Sequence, residues 1–297
     1  MCVLLTGYSG FLGKIIFEQL KSTSIPVQTL GKGKEVDFQA DLSESIPELP
    51  PFDRVIHVAG KAHIYPKTEA EKQGFFTVNE KGTIHLCQAL EKSGALPKQF
   101  VFISTVAVYG REFGIRITEE EPLLGDTPYA LSKIRAEEFL QAWGKQHGVK
   151  ILILRLPLIA GPNPPGNLGK MMQAIPKGRY LSIGGGKARK SMVLASDVAE
   201  LIVKSEEAEG IYNLTDGIHP SFRELEELIC RHYQVALPKI LPLGVAKVLG
   251  RVGDFLPFSP VNSSTIDKMT LDLTFDDSKA RRELGWRPRS VLDHLFE

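Results

Sequence analysis

Three glycines that recur at every third position, Gly7, Gly10 and Gly13, separate a short apolar run from a helical pattern near the start of the chain. The run at residues 3–5 predicts a strand, and the apolar side chains between residues 12 and 20 recur at helical spacing. Glycine in such a turn lets the backbone approach a pyrophosphate, which the free N–H groups and the dipole of the helix attract. The sequence therefore predicts a dinucleotide site at this junction; a tight turn without a ligand is the alternative.

Apolar strands and amphipathic helices alternate along the first half of the chain. Further strands are expected at residues 27–30, 36–42, 54–60, 100–103 and 151–154, with helices at 78–90 and 128–146. This alternation predicts an α/β fold with a doubly wound parallel sheet of the Rossmann type, helices on both faces and right-handed crossovers.

The pattern changes at residues 161–166, which are rich in proline and glycine. Shorter elements follow, with helices expected at 197–206, 222–233 and 278–285 and a strand at 210–214. We therefore expect two domains. Residues 1–160 form the dinucleotide-binding Rossmann domain, and residues 161–297 form a smaller, partly interleaved lobe that mainly binds substrate, with some segments returning to the sheet.

The charge balance and the cysteines limit the class of partner. Lys plus Arg number 36 against 35 for Asp plus Glu, so no overall field favours nucleic acid. Cys2, Cys87 and Cys230 lack disulfide or metal spacing, so no metal site is expected and a reducing, cytoplasmic location is favoured. No stretch approaches the roughly 20 apolar residues that cross a bilayer, and no cationic leader precedes the first strand, so no membrane partner is expected.

Tyr129 and Lys133 lie four residues apart, just after Thr127 and Pro128, which favour the start of a helix. Two residues at this spacing share one face of a helix. A free tyrosine ionises near pH 10, and a neighbouring ammonium group favours its phenolate and brings its proton affinity nearer to neutrality. Tyr129 is therefore the predicted proton donor and acceptor of an alcohol–ketone conversion, with Lys133 as its support; an ordinary solvent-facing helix is the alternative.

The glycine turn and the Tyr-x-x-x-Lys motif together resemble those of the extended short-chain dehydrogenase/reductase superfamily, which includes nucleotide-sugar epimerases, dehydratases and ketoreductases. Residues 275–280 and 284–288 are similar to the tail of nucleotide-sugar epimerases, so the resemblance covers nearly the whole chain. It implies an NAD(P) cofactor, a nucleoside-diphosphate sugar, UDP-linked, as substrate, and a homodimer that pairs the helices at 78–90 and 128–146.

The resemblance also assigns residues to catalysis and to the cofactor. Thr105 matches the family's third catalytic group, which donates a hydrogen bond to the reacting oxygen; a hydroxyl that caps a strand end is the alternative. Residues that match the family's cofactor contacts are Gly7, Gly10, Phe11, Leu12, Gly13, Lys32, Asp41, Leu42, Ala59, Gly60, Lys61, Tyr129, Lys133 and Pro157. Asn79 matches an asparagine that shapes the active site, with a plain N-cap as the alternative, and His63 is a further candidate in the cleft.

The residues after the second strand bear on the choice between NAD and NADP(H). An NAD enzyme usually presents a carboxylate to the adenosine 2′-hydroxyl about 20 residues after the glycine turn. Here Gly31 occupies that place, followed by Lys32 and Lys34. No acid repels a 2′-phosphate there and two ammonium groups attract one, so NADP(H) is favoured; a flexible solvated loop is the alternative.

Substrate contacts follow from the same resemblance. The matching residues are Thr105, Asn167, Leu168, Arg189 and Lys190. By its distance from Asp197, Lys190 matches the family's diphosphate-binding arginine, and Arg189 is displaced by one position. An arginine fork grips phosphate bidentately whereas lysine acts as a point charge, so both remain candidates, with an exposed basic loop as the alternative.

Val106 and Ala107 argue against one reaction of the family. The sugar 4,6-dehydratases that this chain resembles carry an Asp-Glu pair at these positions as acid and base for water elimination, and methyl groups cannot transfer protons. The predicted activity is NAD(P)-dependent reduction of a 4-keto sugar nucleotide for surface polysaccharide, with the sugar, the base and the cellular direction left open. The alternatives are a UDP-hexose 4-epimerase with tightly bound NAD and a non-enzymatic, nucleotide-sensing relative.

Overall fold

The computed structural model describes residues 2–62, 64–255 and 262–297 of the chain. The strands are β1 (Val3–Thr6), β2 (Val27–Gly31), β3 (Phe38–Gln39), β4 (Arg54–His57), β5 (Gln99–Thr105), β6 (Gly114–Ile117), β7 (Lys150–Leu156), β8 (Leu158–Ala160), β9 (Leu181–Ile183), β10 (Met192–Leu194), β11 (Gly210–Asn213), β12 (Lys239–Leu241) and β13 (Leu273–Phe275). The helices are α1 (Phe11–Ser22), α2 (Glu69–Phe75), α3 (Gly82–Lys92), α4 (Pro128–His147), α5 (Gly166–Ala174), α6 (Ala195–Lys204), α7 (Phe222–Tyr233), α8 (Leu243–Asp254), α9 (Ser263–Thr270), α10 (Ser278–Glu283) and α11 (Val291–His294). A π-helix (Phe76–Lys81) joins α2 to α3, and a 3₁₀-helix (Val106–Tyr109) follows β5.

Seven of these strands form one parallel sheet in the order β11–β7–β5–β4–β1–β2–β3. The chain runs outward from β1 to β3 on one side and from β4 to β11 on the other, so the strand order reverses beside β1. Thr6 of β1 pairs with His57 of β4, which places the glycine turn beside the loop that follows β4. Ligands of open α/β sheets bind at the carboxyl ends of strands next to such a reversal. The predicted doubly wound parallel fold is confirmed.

Helices cover both faces of the sheet. On β1, Val3 and Leu5 lie in the hydrophobic core shared with α1 and α6, whereas Leu4 lies in the core shared with α3 and α4. Successive side chains of a strand point to opposite faces. Because both faces are buried, the central strands read as continuous apolar runs rather than as alternating ones.

The later part of the chain contributes both to the sheet and to separate layers. β11 pairs with β7 at the sheet edge, and α6 packs against α1. A third core is shared by α5, α7 and α11. Three parallel pairs, β8 with β10, β9 with β12 and β6 with β13, lie outside the main sheet.

Helix α4, which carries Tyr129 and Lys133, begins where its capping residues predict. Thr127 is the N-cap, and its Oγ1 accepts a hydrogen bond from the Ala130 N–H at 3.1 Å. The helix ends one residue later than expected, before Gly148, whose φ of 69° is a left-handed conformation that glycine favours.

Two elements differ from their predicted bounds in ways that affect the site region. The helix expected at residues 78–90 becomes regular only at α3, because the backbone before it widens into the π-helix. The strand expected at residues 36–42 is only the two-residue β3. Asp37, just before β3, uses its carboxylate to accept hydrogen bonds from the Thr29 N–H at 2.7 Å and from the Thr29 hydroxyl at 2.8 Å. These contacts of the Asp37 side chain with β2 take the place of the backbone hydrogen bonds that a longer strand would form.

A buried ion pair fixes α4 against the sheet. Arg155 of β7 donates from Nη2 to Glu137 of α4 at 2.6 Å, and both side chains are almost fully buried. The Ser104 hydroxyl of β5 donates to the same carboxylate. On its other side Arg155 donates to the Tyr109 hydroxyl at 3.0 Å, which donates in turn to Asn213 of β11 at 2.8 Å. One network therefore joins α4, β5, β7 and β11.

Removing one member of the ion pair is expected to destabilise the protein strongly. Glu137→Leu leaves the Arg155 guanidinium buried without its carboxylate, and we expect a loss of roughly 3–5 kcal/mol in the free energy of urea unfolding. Glu137→Leu combined with Arg155→Met removes both desolvated charges and should recover most of that loss. A single variant as stable as the wild type would contradict this account.

Candidate active site

The glycine turn requires glycine at two of its three positions. Gly7 has a φ of 73°, and a Cβ atom there would lie 2.5 Å from the Ala59 nitrogen. A Cβ atom on Gly13 would overlap the carbonyl oxygen of Gly7. Gly10 is the N-cap of α1, and glycine has no side chain that could accept from the N–H groups of the first turn. Those donors and the helix dipole are therefore open to an external anion.

The other predicted cofactor contacts lie around this turn and its neighbouring loop. Leu12 is buried in the core of α1, so only its backbone is open to a ligand. Phe11 places its ring 3.2 Å from the position of a Cβ atom on Gly161, which follows β8. The Leu42 carbonyl oxygen lies 2.8 Å from Nδ1 of His85 on α3. Pro157 lies between β7 and β8, after the carboxyl end of β7.

The loop after β4 brings the glycine turn and α4 together. The Ala59 N–H donates to Thr6 Oγ1 at 3.2 Å, and a Cβ atom on Gly60 would lie 3.4 Å from Lys133 Nζ. The Lys61 N–H donates to Asn79 Oδ1 at 2.7 Å. His63 lies outside the described residues. The predicted cofactor loop and the predicted catalytic lysine are thus neighbours.

The three predicted catalytic side chains meet at the carboxyl end of β5. The Thr105 side chain lies close enough to the Tyr129 hydroxyl to lower the pKa of that group, although burial outweighs this effect. Lys133, which is 4% exposed, donates from Nζ to the Ile103 carbonyl oxygen at 2.8 Å and lies 4.4 Å from the centre of the Phe102 ring. Lys133 is therefore held against β5, one helical turn from the tyrosine.

Thr105 has a second contact. Its Oγ1 accepts a hydrogen bond from the Ala107 N–H at 3.2 Å and so caps the 3₁₀-helix. Val106 and Ala107 both lie in this 3₁₀-helix. Thr105 therefore has the capping role that was its alternative, and its side chain also lies near Tyr129.

Burial shifts the proton affinities of this group. It raises the pKa of Tyr129 above its usual value, against the opposing effect of the nearby Thr105 side chain. It lowers the pKa of Lys133 to about 8, against the opposing charge of Glu137 one turn further along α4. The upward direction for the tyrosine differs from the lowering expected from a nearby ammonium group, because desolvation is the larger effect.

Asn79 joins the cofactor loop to α4 and is not an N-cap. It lies inside the π-helix and is 1% exposed. Its Nδ2 donates to the Lys61 carbonyl oxygen at 3.1 Å and to Ser132 Oγ at 2.9 Å, and that hydroxyl donates to the Tyr129 carbonyl oxygen at 2.8 Å. One amide thus holds the loop after β4 and the first turn of α4 at a fixed separation.

His57, which was not among the residues predicted from the sequence, lies in a buried chain of hydrogen bonds. Its Nδ1 lies 2.6 Å from Thr6 Oγ1, and its Nε2 lies 3.0 Å from Thr83 Oγ1. The Thr83 hydroxyl donates to the Asn79 carbonyl oxygen at 2.6 Å, so it accepts from Nε2–H, and this assigns Nδ1 as the acceptor from Thr6. Burial, together with the charge of Lys133, lowers the pKa of His57 to about 3. The sequence offered one signal for His57, which is a polar residue within the apolar run of a predicted buried strand.

The neutral state of His57 predicts a pH dependence of stability. Its pKa is about 3 when folded and about 6.5 when unfolded, so the unfolded chain binds more protons between these values and stability falls as the pH falls below 6.5. Between pH 7 and pH 5, the free energy of urea unfolding should fall by about 2 kcal/mol more in the wild type than in His57→Gln. His85→Gln, which leaves this chain of bonds intact, should follow the wild type. Equal losses in all three proteins would contradict the assignment.

A cavity of about 400 Å³ lies between the glycine turn and the loop after β2. It is lined by residues 7–9 and 30–36, and the Tyr8 hydroxyl crosses it to donate to the Glu35 carbonyl oxygen at 2.9 Å. Lys32 and Lys34 both line it, but Lys32 forms an ion pair of 2.5 Å with Asp41. Lys34 is thus the lysine of this cavity that is not held by Asp41.

Apart from Thr105, the predicted substrate residues lie in the C-terminal part of the chain, after residue 160. Asn167 is exposed in the first turn of α5, whereas Leu168 is buried in the third core. Arg189 is half-exposed, donates to the His219 carbonyl oxygen at 3.0 Å and lies 3.4 Å from Glu224.

Lys190, the other predicted diphosphate contact, is almost fully buried. It donates from Nζ to the Leu271 carbonyl oxygen at 2.9 Å, and burial lowers its pKa to about 8. Its neighbour Arg189 forms an isolated bridge with Ser221, and Lys190 forms one with Leu273. The segment is therefore held between two other parts of the lobe and is not a free basic loop.

The parallel sheet with a glycine turn at its point of reversal defines a Rossmann-type α/β protein. Residues 3–214 match the family model of the NAD dependent epimerase/dehydratase family. The chain belongs to this family.

Curated relatives and solved structures agree with this assignment. The chain is 28% identical to the UDP-glucose 4-epimerase of Vibrio cholerae, over 99% of this chain and 93% of the relative. It is 30% identical to the GDP-6-deoxy-D-mannose reductase of Pseudomonas aeruginosa, over 79% of this chain and 81% of the relative. Its fold is similar to that of RMD from Pseudomonas aeruginosa complexed with NADPH, with a TM-score of 0.74 and 24% identity over 98% of this chain and 96% of the other.

Proposed function

We propose that this protein is an NAD(P)-dependent oxidoreductase that reduces a 4-keto nucleoside-diphosphate sugar. The observation that carries the proposal is the proximity of the Thr105 and Tyr129 side chains, which lie at the same edge of the sheet as the glycine turn. The chain belongs to a family of nucleotide-sugar epimerases, dehydratases and reductases. Its 30% identity to a GDP-6-deoxy-D-mannose reductase supports reduction in particular.

The residues around the glycine turn fit a dinucleotide. Gly10 leaves the first-turn N–H groups of α1 to an external anion, and a cavity of about 400 Å³ adjoins the turn where adenosine and its ribose would be held. When bound, the nicotinamide supplies the hydride. In this proposal Lys133, whose Nζ lies beside Gly60, contacts the nicotinamide ribose.

The side chains at the end of β5 perform the proton transfer in this proposal. Tyr129 donates its phenolic proton to the carbonyl oxygen of the substrate, and the Thr105 hydroxyl donates a hydrogen bond to the same oxygen. Because burial raises the pKa of Tyr129, the phenol is protonated at neutral pH, as a reduction requires. Val106 and Ala107 offer no acid or base for elimination of water, so the proposal does not include dehydration.

We assign the nucleotide sugar mainly to residues 161–297, and the cofactor to residues 1–160. Arg189 keeps a half-exposed guanidinium and needs only to leave Glu224 and a carbonyl oxygen to reach a diphosphate. Lys190 is buried and donates within the lobe. We therefore favour Arg189 over Lys190 as the diphosphate ligand, with Asn167 as a second candidate ligand.

A UDP-hexose 4-epimerase is the second candidate. The 28% identity to such an enzyme extends over 99% of the chain, and the same tyrosine could remove and return a proton at one carbon. An epimerase keeps its cofactor bound and turns over without added NAD(P)H, whereas a reductase consumes NAD(P)H in proportion to a 4-keto sugar.

Incubation with a 4-keto UDP-sugar and NADPH, followed by absorbance and product analysis, tests the proposal. We expect stoichiometric oxidation of NADPH by the wild type and a loss of at least a hundredfold in turnover in Tyr129→Phe, which removes the general acid but leaves the cofactor cavity intact. Tyr233→Phe, an exposed tyrosine of α7, should behave as the wild type. Interconversion of UDP-hexoses without added cofactor would favour the epimerase, and nucleotide binding without any turnover would favour the non-enzymatic alternative.

Lys34 and Lys32 are expected to set the preference for NADP(H). Lys34→Ser removes a cation from the cavity beside the glycine turn, and we expect the KM for NADPH to rise roughly tenfold with little change for NADH. Lys32→Ser should have a smaller effect, because Asp41 already neutralises that ammonium group. Lys21→Ser, in the last turn of α1, is the matched control. An equal response with both cofactors would contradict the preference.

We also propose a cytoplasmic homodimer. The free thiols Cys2, Cys87 and Cys230 suit a reducing compartment. The subunits would pair through α4 and the π-helix–α3 segment. Sedimentation velocity measures the oligomeric state directly.

A further inference from the structure

Helix α8 packs against the protein through its small residues. Ala246, Gly250 and Gly253 are its buried positions. A Cβ atom on Gly250 would lie 3.1 Å from the Ile266 side chain and 3.3 Å from the Asn262 carbonyl oxygen, so α8 is pressed closely against α9. The larger side chains of α8 must therefore point away from this contact.

Those larger side chains are apolar and exposed. Val248 is 59% exposed and Phe255, directly after the helix, is 88% exposed. With Ile240, Val245, Leu249 and Val252, which are also exposed, they form what we call the α8 surface. A surface helix ordinarily turns its large apolar side chains toward the core. Contiguous apolar patches on a protein surface mark sites for another protein or a membrane.

The α8 surface is flanked by three cations, and the carboxylate nearest to Lys247 and Arg251 in the sequence is that of Asp254. Residues 235–253 contain Lys239, Lys247 and Arg251 but no Asp or Glu, although the whole chain has a net charge of only +1. Lys247 and Arg251 are four residues apart and so line one side of the helix, next to the apolar side chains. Within the described ranges none of these three cations forms an ion pair. Asp254, at the end of α8, instead accepts hydrogen bonds from Ser263.

We propose that the α8 surface docks on a membrane that contains anionic phospholipids. A helix with a large apolar face and flanking Lys and Arg lies in the plane of the bilayer interface, where its apolar side chains enter the acyl boundary and its cations meet lipid phosphates. This is peripheral binding, since no helix in the described part of the chain is long and apolar enough to span a membrane. We expected no membrane partner because no stretch of the sequence is long and apolar enough to span a bilayer. Peripheral binding through a surface helix does not need such a stretch.

A second copy of the chain fits the α8 surface less well. Twelve residues of helix present a face of about 18 Å by about 10 Å, far below the roughly 800 Å² that each partner buries in a stable complex. An isologous pair would also bring Lys247 and Arg251 of both copies close together without acidic partners. An anionic lipid surface satisfies the cations and the apolar face at once.

Co-sedimentation of the purified full-length protein with vesicles tests this proposal. The wild type should pellet with phosphatidylcholine vesicles that contain phosphatidylglycerol and should remain in solution with phosphatidylcholine alone. Val248→Asp should reduce binding at least tenfold, and Lys247→Gln with Arg251→Gln should weaken it about fivefold for each cation removed. Ile115→Asp, which places the same charge on a 73% exposed side chain of β6, should bind as the wild type.

Three results would overturn the proposal. The first is a wild type that does not pellet with anionic vesicles, and the second is unchanged binding in Lys247→Gln with Arg251→Gln. The third is a change of oligomeric state in sedimentation velocity on going from wild type to Val248→Asp, which would make the surface a subunit interface. The charge variant leaves the packing of α8 untouched, so it decides the matter even if Val248→Asp folds poorly. Co-sedimentation measures membrane binding without any turnover, so its outcome does not depend on the proposed enzymatic activity.

Discussion

The buried ion pair of Glu137 and Arg155 is the interaction on which the arrangement of the site depends. Two charges so deeply buried are tolerated only where hydrogen bonds satisfy the rest of their polar atoms, and here Ser104 and Tyr109 supply those bonds. Their partners lie on α4, β5 and β7, so any shift of α4 along the sheet would break several bonds at once. Because Tyr129 and Lys133 lie on the same helix, their position relative to the carboxyl ends of the strands depends on this ion pair.

A second set of polar contacts places the cofactor loop relative to α4. His57 links the end of β1 to α3 through two threonines, and Asn79 links the loop after β4 to α4 through a serine. Each link consists of neutral groups whose donors and acceptors are matched, so none needs solvent. The glycine turn, the loop at Gly60 and the first turn of α4 are therefore held as one unit, although they come from three separate parts of the chain.

Local signals predicted the elements that depend on local chemistry. The glycine turn and the cap of α4 at Thr127 follow from sequence patterns that act over a few residues, and the alternation of strands and helices predicted the doubly wound parallel fold correctly. The π-helix around Asn79 and the ion pair of Glu137 and Arg155 depend on contacts between distant segments, and no pattern along the chain encodes these. The Lys32–Asp41 pair was missed for the same reason: each residue was assigned a separate contact with the cofactor, but the structure joins them to each other.

The same desolvation acts with opposite sign on the two titratable groups of α4, and this bears on the direction of proton transfer. Burial disfavours a charged tyrosine and a charged lysine alike, so it raises the pKa of Tyr129 and lowers that of Lys133 to about 8. A tyrosine that has donated its proton is then a strong base, and the nearby ammonium group yields a proton more readily than an ordinary lysine near 10.4. In the proposed reduction, both shifts would favour the return of a proton to Tyr129 after each turnover.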